Sequence, residues 1–163
     1  MKERAEILDT GNPYVRSARI TVNAPAQAIF DVIADPRQHP RIDGSGTVQA
    51  ALSAPQRLSL RAKFGMSMKI GLPYSIRNTV VEFDEGRRIG WCHPGRHRWR
   101  YELEPVDATT TIVTETFDGS TAWFPPALKL INAYDNNQKA IAKTLVNLKA
   151  LVENGETEKG SYP

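Results

Sequence analysis

Apolar and polar residues alternate over much of the chain, and this pattern predicts β-strands. The clearest run covers residues 58–70, where every second residue is apolar and the intervening residues are polar or glycine. Similar but shorter runs predict further strands near 17–22, 47–51, 75–83, 87–93, 97–106 and 110–118. Short turns join most of these runs, including "GLPY" at 71–74 and "DEGR" at 84–87, so an antiparallel meander is expected.

The spacing changes to that of an α-helix in two places. Between Pro25 and Pro36 the apolar residues recur at positions 26, 29, 30 and 33, which predicts a short amphipathic helix that ends before Pro36. A longer apolar stripe over 127–152 predicts one terminal helix, with a bend at the poor helix formers "DNN" of 135–137. At ~1.5 Å per residue this helix is on the order of 40 Å long and could cover the whole sheet.

These elements indicate an α+β helix-grip architecture. A curved antiparallel sheet of about seven strands wraps around the long C-terminal helix, and one or two short helices lie between strands 1 and 2. One domain is expected over 1–155, with residues 1–14 as an N-terminal extension. The tail at 156–163 is predicted to be disordered because its charged, Gly- and Pro-containing composition lacks hydrophobic periodicity.

The sequence resembles the polyketide cyclase/dehydrase-like branch of the START-like (SRPBCC, helix-grip) superfamily. The resemblance rests on "ITVNAPAQAIFDVIADPRQHPRIDGSGTV", "RRIGW", "RWRYELEP" and "TETFD", followed by the terminal amphipathic helix, and it spans roughly 17–152. It implies a deep, mostly apolar cavity between sheet and helix. The superfamily includes polyketide aromatases and cyclases, carriers of hydrophobic ligands and hormone receptors, and no catalytic set of a characterised cyclase matches this chain residue by residue.

Composition and charge narrow the function classes. The chain has 163 residues, 40% hydrophobic content, a formal net charge of +3 and a single cysteine, Cys92, which excludes an intrachain disulfide. No apolar run is long enough for a membrane span and the N-terminus lacks the apolar centre of a signal peptide, so a cytoplasmic location is expected. No cofactor motif is present, and we predict no cofactor and no metal.

The segment "GWCHPGRHRWRYELEP" at 90–105 combines cysteine, histidine, arginine and aromatic residues. A metal site or a Cys–His nucleophile is disfavoured because Cys92 and His93, as strand neighbours, point to opposite faces. Nucleic-acid binding is disfavoured because the same parity separates the arginines from Trp99 and Tyr101. We expect the arginines to face water and to pair with acidic neighbours.

The remaining interpretation is a ligand cavity with an aromatic wall. The predicted ligand-binding residues share an inward strand parity or the helix stripe: Phe64, Met66, Met68, Tyr74, Arg77, Trp91, His93, Trp99, Tyr101, Tyr134 and Gln138. An inward Arg77 would favour a ligand carboxylate or phenolate. The inward parity of the 110–118 strand, and with it the position of Glu115, stays open.

The leading hypothesis is binding of a small, largely hydrophobic molecule, aromatic, lipid-like or polyketide-like, that enters near "GLPY" and the loop around Trp123. The alternative is a polyketide cyclase/dehydratase-type enzyme acting in the same cavity. Its candidate acids and bases are Tyr101, His93, Arg77 and Glu115. For a protein partner, the sequence leaves open a homodimer or a contact with a carrier protein.

Overall fold

The computed structural model describes residues 3–155. It contains one eight-stranded antiparallel sheet with the strand order β1-β2-β8-β7-β6-β5-β4-β3. The strands are β1 (Glu6–Leu8), β2 (Val15–Val22), β3 (Val48–Ala51), β4 (Lys63–Ile70), β5 (Leu72–Asp84), β6 (Arg88–Cys92), β7 (Arg98–Asp107) and β8 (Thr110–Asp118). The helices are α1 (Ala26–Ile33), α2 (His39–Ile42), α3 (Ala127–Leu130) and α4 (Ala133–Glu153), with a 3-10 turn at Pro36–Gln38 before α2.

The predicted fold class is confirmed. The sheet is curved, and its inner face packs against α1, α2 and the long α4, as a helix-grip fold requires. The sheet has one strand more than expected because β1, which lies in the predicted N-terminal extension, pairs with β2 along the sheet edge. The predicted tail at 156–163 lies outside the described residues.

The terminal helix differs from the prediction in length and position. The chain breaks at Asn132, whose φ of 54° is left-handed, so the short α3 and the 21-residue α4 are separate helices. Helix α4 packs chiefly on β2 and β8 rather than across the whole sheet. Asparagine tolerates the left-handed conformation better than most residues, which explains why the break falls at this position.

Two predicted strand boundaries are also wrong. Residues 58–62 alternate in sequence but form a loop, with Leu58 buried, Leu60 exposed and Arg61 at a positive φ of 69°. The predicted "GLPY" turn is reduced to Gly71, because Ile70 already pairs with Leu72. A φ of +71° at Gly71 permits this tight reversal.

Helix α4 is anchored at two points along its length, one near its middle and one near its C-terminus. The corner before β3 approaches it so closely that a Cβ on Gly44 would lie 2.5 Å from the Ala140 carbonyl oxygen, and the Gly44 amide donates to Thr144 Oγ1 at 2.8 Å. Near the helix C-terminus, the buried Lys149 Nζ donates to the Thr21 carbonyl at 2.7 Å and pairs with Glu153 at 2.6 Å. These contacts hold the helix over β2 and β8.

One end of the sheet carries most of the exposed large apolar residues of the described chain. Strand pairing places the β4–β5 hairpin tip (70–74), the β6–β7 hairpin tip (93–97) and the segment 119–132 at this end, which we call the open end. The apolar side chains exposed there are Ile70, Leu72, Tyr74, Trp123, Phe124, Leu130 and Ile131. No helix within residues 3–155 is long and apolar enough to span a membrane.

Candidate ligand-binding site

The inner face of the sheet carries a continuous set of aromatic side chains centred on Trp91. The rings of Phe64 and Tyr101 lie 5.5 and 5.8 Å from the Trp91 ring, and the imidazole of His39 stacks on it at 5.0 Å. All four are buried. Strands β4, β6 and β7, together with α2, therefore supply one aromatic wall.

His39 is fixed in one tautomer by its position. Its Nε2 lies 2.8 Å from the Ile33 carbonyl oxygen, which can only accept a hydrogen bond, so Nε2 carries the proton. Burial lowers the pKa of His39, while that carbonyl and the charges of Asp35 and Asp43 act against the decrease. His39 is thus a neutral ring that packs against Trp91.

The most unusual group on the inner face is the carboxyl of Glu115 on β8. The residue is only 3% exposed, and its Oε2 has no hydrogen-bond partner. The carboxyl group as a whole hydrogen-bonds the Tyr101 hydroxyl across the β7–β8 pair. Burial raises the pKa of Glu115 well above its usual range, the Tyr101 hydroxyl opposes this increase, and the charge of Asp43 adds to it. Burial without a cationic partner therefore favours the protonated form of Glu115.

Tyr101 is held in its neutral form by the same surroundings. Burial raises the pKa of Tyr101 well above its usual range, and Glu115 and Asp43 act in the same direction. Asp43 itself accepts hydrogen bonds from the Ser45 hydroxyl and from the amides of Ser45 and Val48. The interior near β7 and β8 therefore places Tyr101 and Glu115 near a carboxylate that is hydrogen-bonded to its own loop.

A second unpartnered polar atom lies on β5. Asn78 is 2% exposed and its Oδ1 has no hydrogen-bond partner. It pairs in register with Phe64 on β4, which places it beside the aromatic wall. A buried amide oxygen without a partner is costly, so a ligand or water that donates a hydrogen bond would be favoured there.

The predicted inward orientation of Arg77 is wrong. Arg77 is exposed, and its neighbour Asn78 is the buried residue. The prediction counted parity back from Phe83, but a β-bulge between Val80 and Glu82 shifts the register, so Val80 and Asn78 point inward instead. The carboxylate or phenolate preference that an inward arginine would have given is thereby lost.

Two histidines lie side by side near the open end. The rings of His93 and His97 are 4.5 Å apart, and they contact Trp99 and Phe117 respectively. Burial, with a further contribution from His97, lowers the pKa of His93 to about 3, and burial also lowers the pKa of His97. Both are neutral at physiological pH and act as aromatic, polar wall residues.

The residues predicted on α4 have protein partners. Tyr134 is buried, donates to the Pro125 carbonyl at 2.8 Å, and packs so tightly on Gly119 that a Cβ there would lie 2.5 Å from its hydroxyl. Gln138 donates to the Ser17 carbonyl of β2 at 3.2 Å. These two residues join α4 to the open end rather than leaving a polar group unsatisfied.

The remaining predicted wall residues lie on β4, β5 and β7. Met66 and Met68 are buried on β4, Trp99 is half-buried on β7, and Tyr74 is 41% exposed at the open end. The structure therefore brings Phe64, Met66, Met68, Trp91 and Tyr101 together in the interior. Trp99 and His93 extend this lining toward the open end.

The outer face of the sheet has the predicted ion pairs. Arg100 pairs with Glu82 at 2.9 Å, and Arg88 pairs with Glu102 at 3.1 Å and with Glu82 at 3.8 Å. A surface depression of about 740 Å³ lies over these residues and is lined mainly by charged side chains. Arg88 and Arg100 are thus paired with carboxylates, and the Nε of Arg98, at the start of β7, is a third buried polar atom without a hydrogen-bond partner.

Cys92 and His93 do not form a site together. The Cys92 thiol donates to the His93 carbonyl at 3.3 Å, whereas the His93 ring packs on His97. Among residues 3–155, no three His, Cys, Asp or Glu side chains converge as a metal site requires.

Sequence reasoning missed Asn78 and His39 as wall residues and left the orientation of Glu115 open. Thr111, Val113, Glu115 and Phe117 are the inward residues of β8. Both parities of this strand contain apolar and polar residues, so alternation could not distinguish them. For Asn78 the sequence offered only the alternation of the strand. The bulge between Val80 and Glu82 reverses which residues of that alternation point inward.

Comparisons with known proteins agree with this geometry. A family model described as "Polyketide cyclase / dehydrase and lipid transport" matches residues 16–153. The uncharacterized protein Rv0088 of Mycobacterium tuberculosis H37Rv is 43% identical over 113 residues, which are 69% of this chain and 50% of that protein. The chain thus spans about half the length of the curated relatives it matches.

Solved structures share the fold at low sequence identity. Protein Ms6760 of Mycobacterium smegmatis is 15% identical with a TM-score of 0.69, covering 94% of this chain and 99% of that one. A protein of Arthrobacter aurescens is 13% identical with a TM-score of 0.72, covering 91% of each chain. An AHSA1-like protein of Aeromonas hydrophila is 16% identical with a TM-score of 0.58, covering 90% of this chain and 99% of that one.

Proposed function

This chain belongs to the polyketide cyclase/dehydrase and lipid transport family, and we propose that it binds a small, largely hydrophobic molecule against the inner face of its sheet. The observation that carries the proposal is the presence of two buried polar atoms without protein partners, Glu115 Oε2 and Asn78 Oδ1, beside an aromatic and apolar wall. Ligand sites commonly combine such a wall with a few polar groups that orient the ligand.

The open end is the proposed entrance. The exposed apolar side chains of the 70–74 tip and of 119–132 surround it, and the inward residues of β4 and β6 lead from it to Trp91. Apolar side chains around the entrance let a hydrophobic ligand leave water before it reaches the interior, which lowers the free-energy barrier to entry.

The first experiment is native mass spectrometry of the protein as purified from cells, followed by solvent extraction and identification of any released compound. Titration with the neutral dye Nile red then measures whether a saturable apolar site exists. We expect a one-to-one site whose dye emission shifts to the blue. Substituting Asn78→Leu should change the dye affinity, whereas Arg77→Leu, one residue away on the outer face, is the matched control and should not.

A saturable site that is equally sensitive to both substitutions would contradict a site on the inner face. The absence of any saturable Nile red binding together with the absence of a co-purifying compound would contradict the proposed function itself. Circular dichroism of each variant establishes that the fold is retained before its affinity is interpreted.

One observation also favours an enzyme of the cyclase/dehydratase type as a second candidate. Burial raises the pKa of the Glu115 carboxyl beside the Tyr101 hydroxyl and so favours its protonated form, and a protonated carboxyl can donate a proton to a carbonyl or to a departing hydroxyl. Incubating the extracted compound with fresh protein and with the Glu115→Gln variant tests this. Conversion by the wild-type protein alone supports catalysis, and recovery of an unchanged compound from both supports binding.

A further inference from the structure

The strongest unassigned feature of the interior is the side of Glu115 that faces no protein partner. Its Oε2 is buried and unpaired, while the Tyr101 hydroxyl contacts the same carboxyl. Removing a hydrogen-bonding partner from a buried polar atom is costly, so this atom selects for a ligand group that supplies the missing bond.

The charge of the ligand group follows from the surroundings of Glu115. The titratable groups that act on this carboxyl are Tyr101 and Asp43, and neither carries positive charge. An ionised Glu115 would be a buried anion close to the Asp43 carboxylate, which is strongly unfavourable. A ligand carboxylate beside Glu115 would meet the same repulsion.

An uncharged oxygen fits this site. A protonated carboxyl donates one hydrogen bond, which a ketone, an ester carbonyl or a hydroxyl can accept. A hydroxyl can in addition donate to the second lone pair of the carboxyl.

We propose that Glu115 acts as a neutral hydrogen-bond donor that selects uncharged, oxygen-bearing ligands, namely alcohols, esters or ketones, over carboxylates of the same hydrocarbon skeleton. This inference rests on the proposed function, because it concerns the same interior site. It also changes the expected ligand class, since the sequence had suggested an inward Arg77 with a preference for carboxylates or phenolates.

The binding test compares lauryl alcohol, methyl laurate and laurate, which share one hydrocarbon chain, as competitors of Nile red at pH 8. We expect the alcohol and the ester to displace the dye at concentrations about tenfold or more below laurate, as the loss of one buried hydrogen bond and the added repulsion would give. Laurylamine, which is cationic, should also bind weakly because Glu115 is uncharged.

Two substitutions isolate the role of Glu115. Glu115→Gln keeps a donor of similar size and should retain the preference for the neutral competitors. In Glu115→Leu the ratio between the affinities for the neutral competitors and for laurate should fall by about tenfold. Thr114→Leu, the next residue on β8, lines the outer depression and serves as the matched control. Nile red itself should bind all three variants.

An independent measurement needs no ligand. The difference infrared spectrum between the wild-type protein and Glu115→Gln at pH 7 should contain the C=O stretch of a protonated carboxyl. A carboxylate band in its place would overturn the inference, as would laurate or laurylamine competing as well as the alcohol. Failure of Nile red to find a saturable site would instead contradict the proposed function, and the infrared result would still decide the state of Glu115.

Discussion

The individual residues that distinguish this interior are polar groups kept in their neutral forms. Burial favours the neutral forms of Glu115 and Tyr101 by raising their pKa values, and it favours the neutral forms of His39, His93 and His97 by lowering theirs. In every case burial penalises the charged form. The same site therefore combines hydrogen-bonding capacity with a low net charge, which suits an apolar ligand that carries a few oxygen atoms.

His93 allows a prediction at the residue scale. Its pKa in the folded protein is about 3, compared with 6.5 for an unperturbed histidine, so between these values the unfolded chain binds a proton that the native state does not. The contribution of His93 to the free energy of unfolding should be highest above about pH 6.5 and should decrease as the pH falls from 6.5 toward 3. Substituting His93→Gln should flatten this dependence, as measured by urea denaturation at a series of pH values.

The companion substitution His97→Gln should flatten the pH dependence as well, because burial lowers the pKa of that ring too. If the free energy of unfolding of His93→Gln depends on pH as steeply as that of the wild-type protein, His93 titrates normally in the folded protein. Nile red titrations of both variants would report in parallel whether this histidine pair contributes to the ligand site.

At the scale of the elements, two glycines decide how closely α4 can approach the rest of the fold. Gly44 and Gly119 lie where a Cβ would overlap helix atoms, in one case backbone and in the other the Tyr134 ring. The corner that carries Gly44 also carries Asp43, which contributes to the pKa shifts of Glu115 and Tyr101. The packing of this corner on α4 and the electrostatics of the site are therefore linked through adjacent residues.

Substituting Gly44→Ala should destabilise the protein by about 2 to 3 kcal/mol, because overpacking against helix backbone forces the corner or the helix to shift. The free energy of unfolding from urea denaturation measures the effect. Gly65→Ala is the matched control, since its added Cβ would make only ordinary contacts at 3.7 Å. If the two substitutions cost the same, close packing of the corner on α4 is not what requires Gly44.

In the molecule as a whole, buried packing is distributed unevenly between the side of the sheet formed by β2 and β8 and the open end. Strands β2 and β8 pair over their full lengths and are covered by the buried face of α4, which includes Ile141, Leu145 and Leu148. The open end instead combines hairpin tips with exposed apolar side chains. This asymmetry places the proposed entrance in the part of the fold with the fewest buried contacts.

Native-state hydrogen exchange followed by mass spectrometry should reflect this asymmetry. We expect the slowest exchange in β2, β8 and residues 141–151 of α4, and the fastest in 70–74 and 119–132, because exchange there requires only local opening. A bound ligand should slow exchange at the open end more than in β2. Uniform protection along the whole chain would contradict both the asymmetry and the proposed entrance.

The amino-acid sequence alone was enough to predict the class of fold and three of the four residues of the aromatic wall. Period-two alternation, the two prolines around α1 and the terminal apolar stripe depend on local geometry and on the burial of one face, so they predicted the meander, the short helices and the inward positions of Phe64, Trp91 and Tyr101.

Only the tertiary structure decided which polar groups enter the interior. The bulge after Val80 exchanges Arg77 for Asn78, and the pairing of β8 with β2 and β7 turns Glu115 inward. A bulge changes the register without changing the residue pattern before it, and a strand with mixed parity is oriented by its neighbours. The charge and hydrogen-bonding character of the site therefore depend on contacts between strands distant in sequence, which local periodicity does not contain.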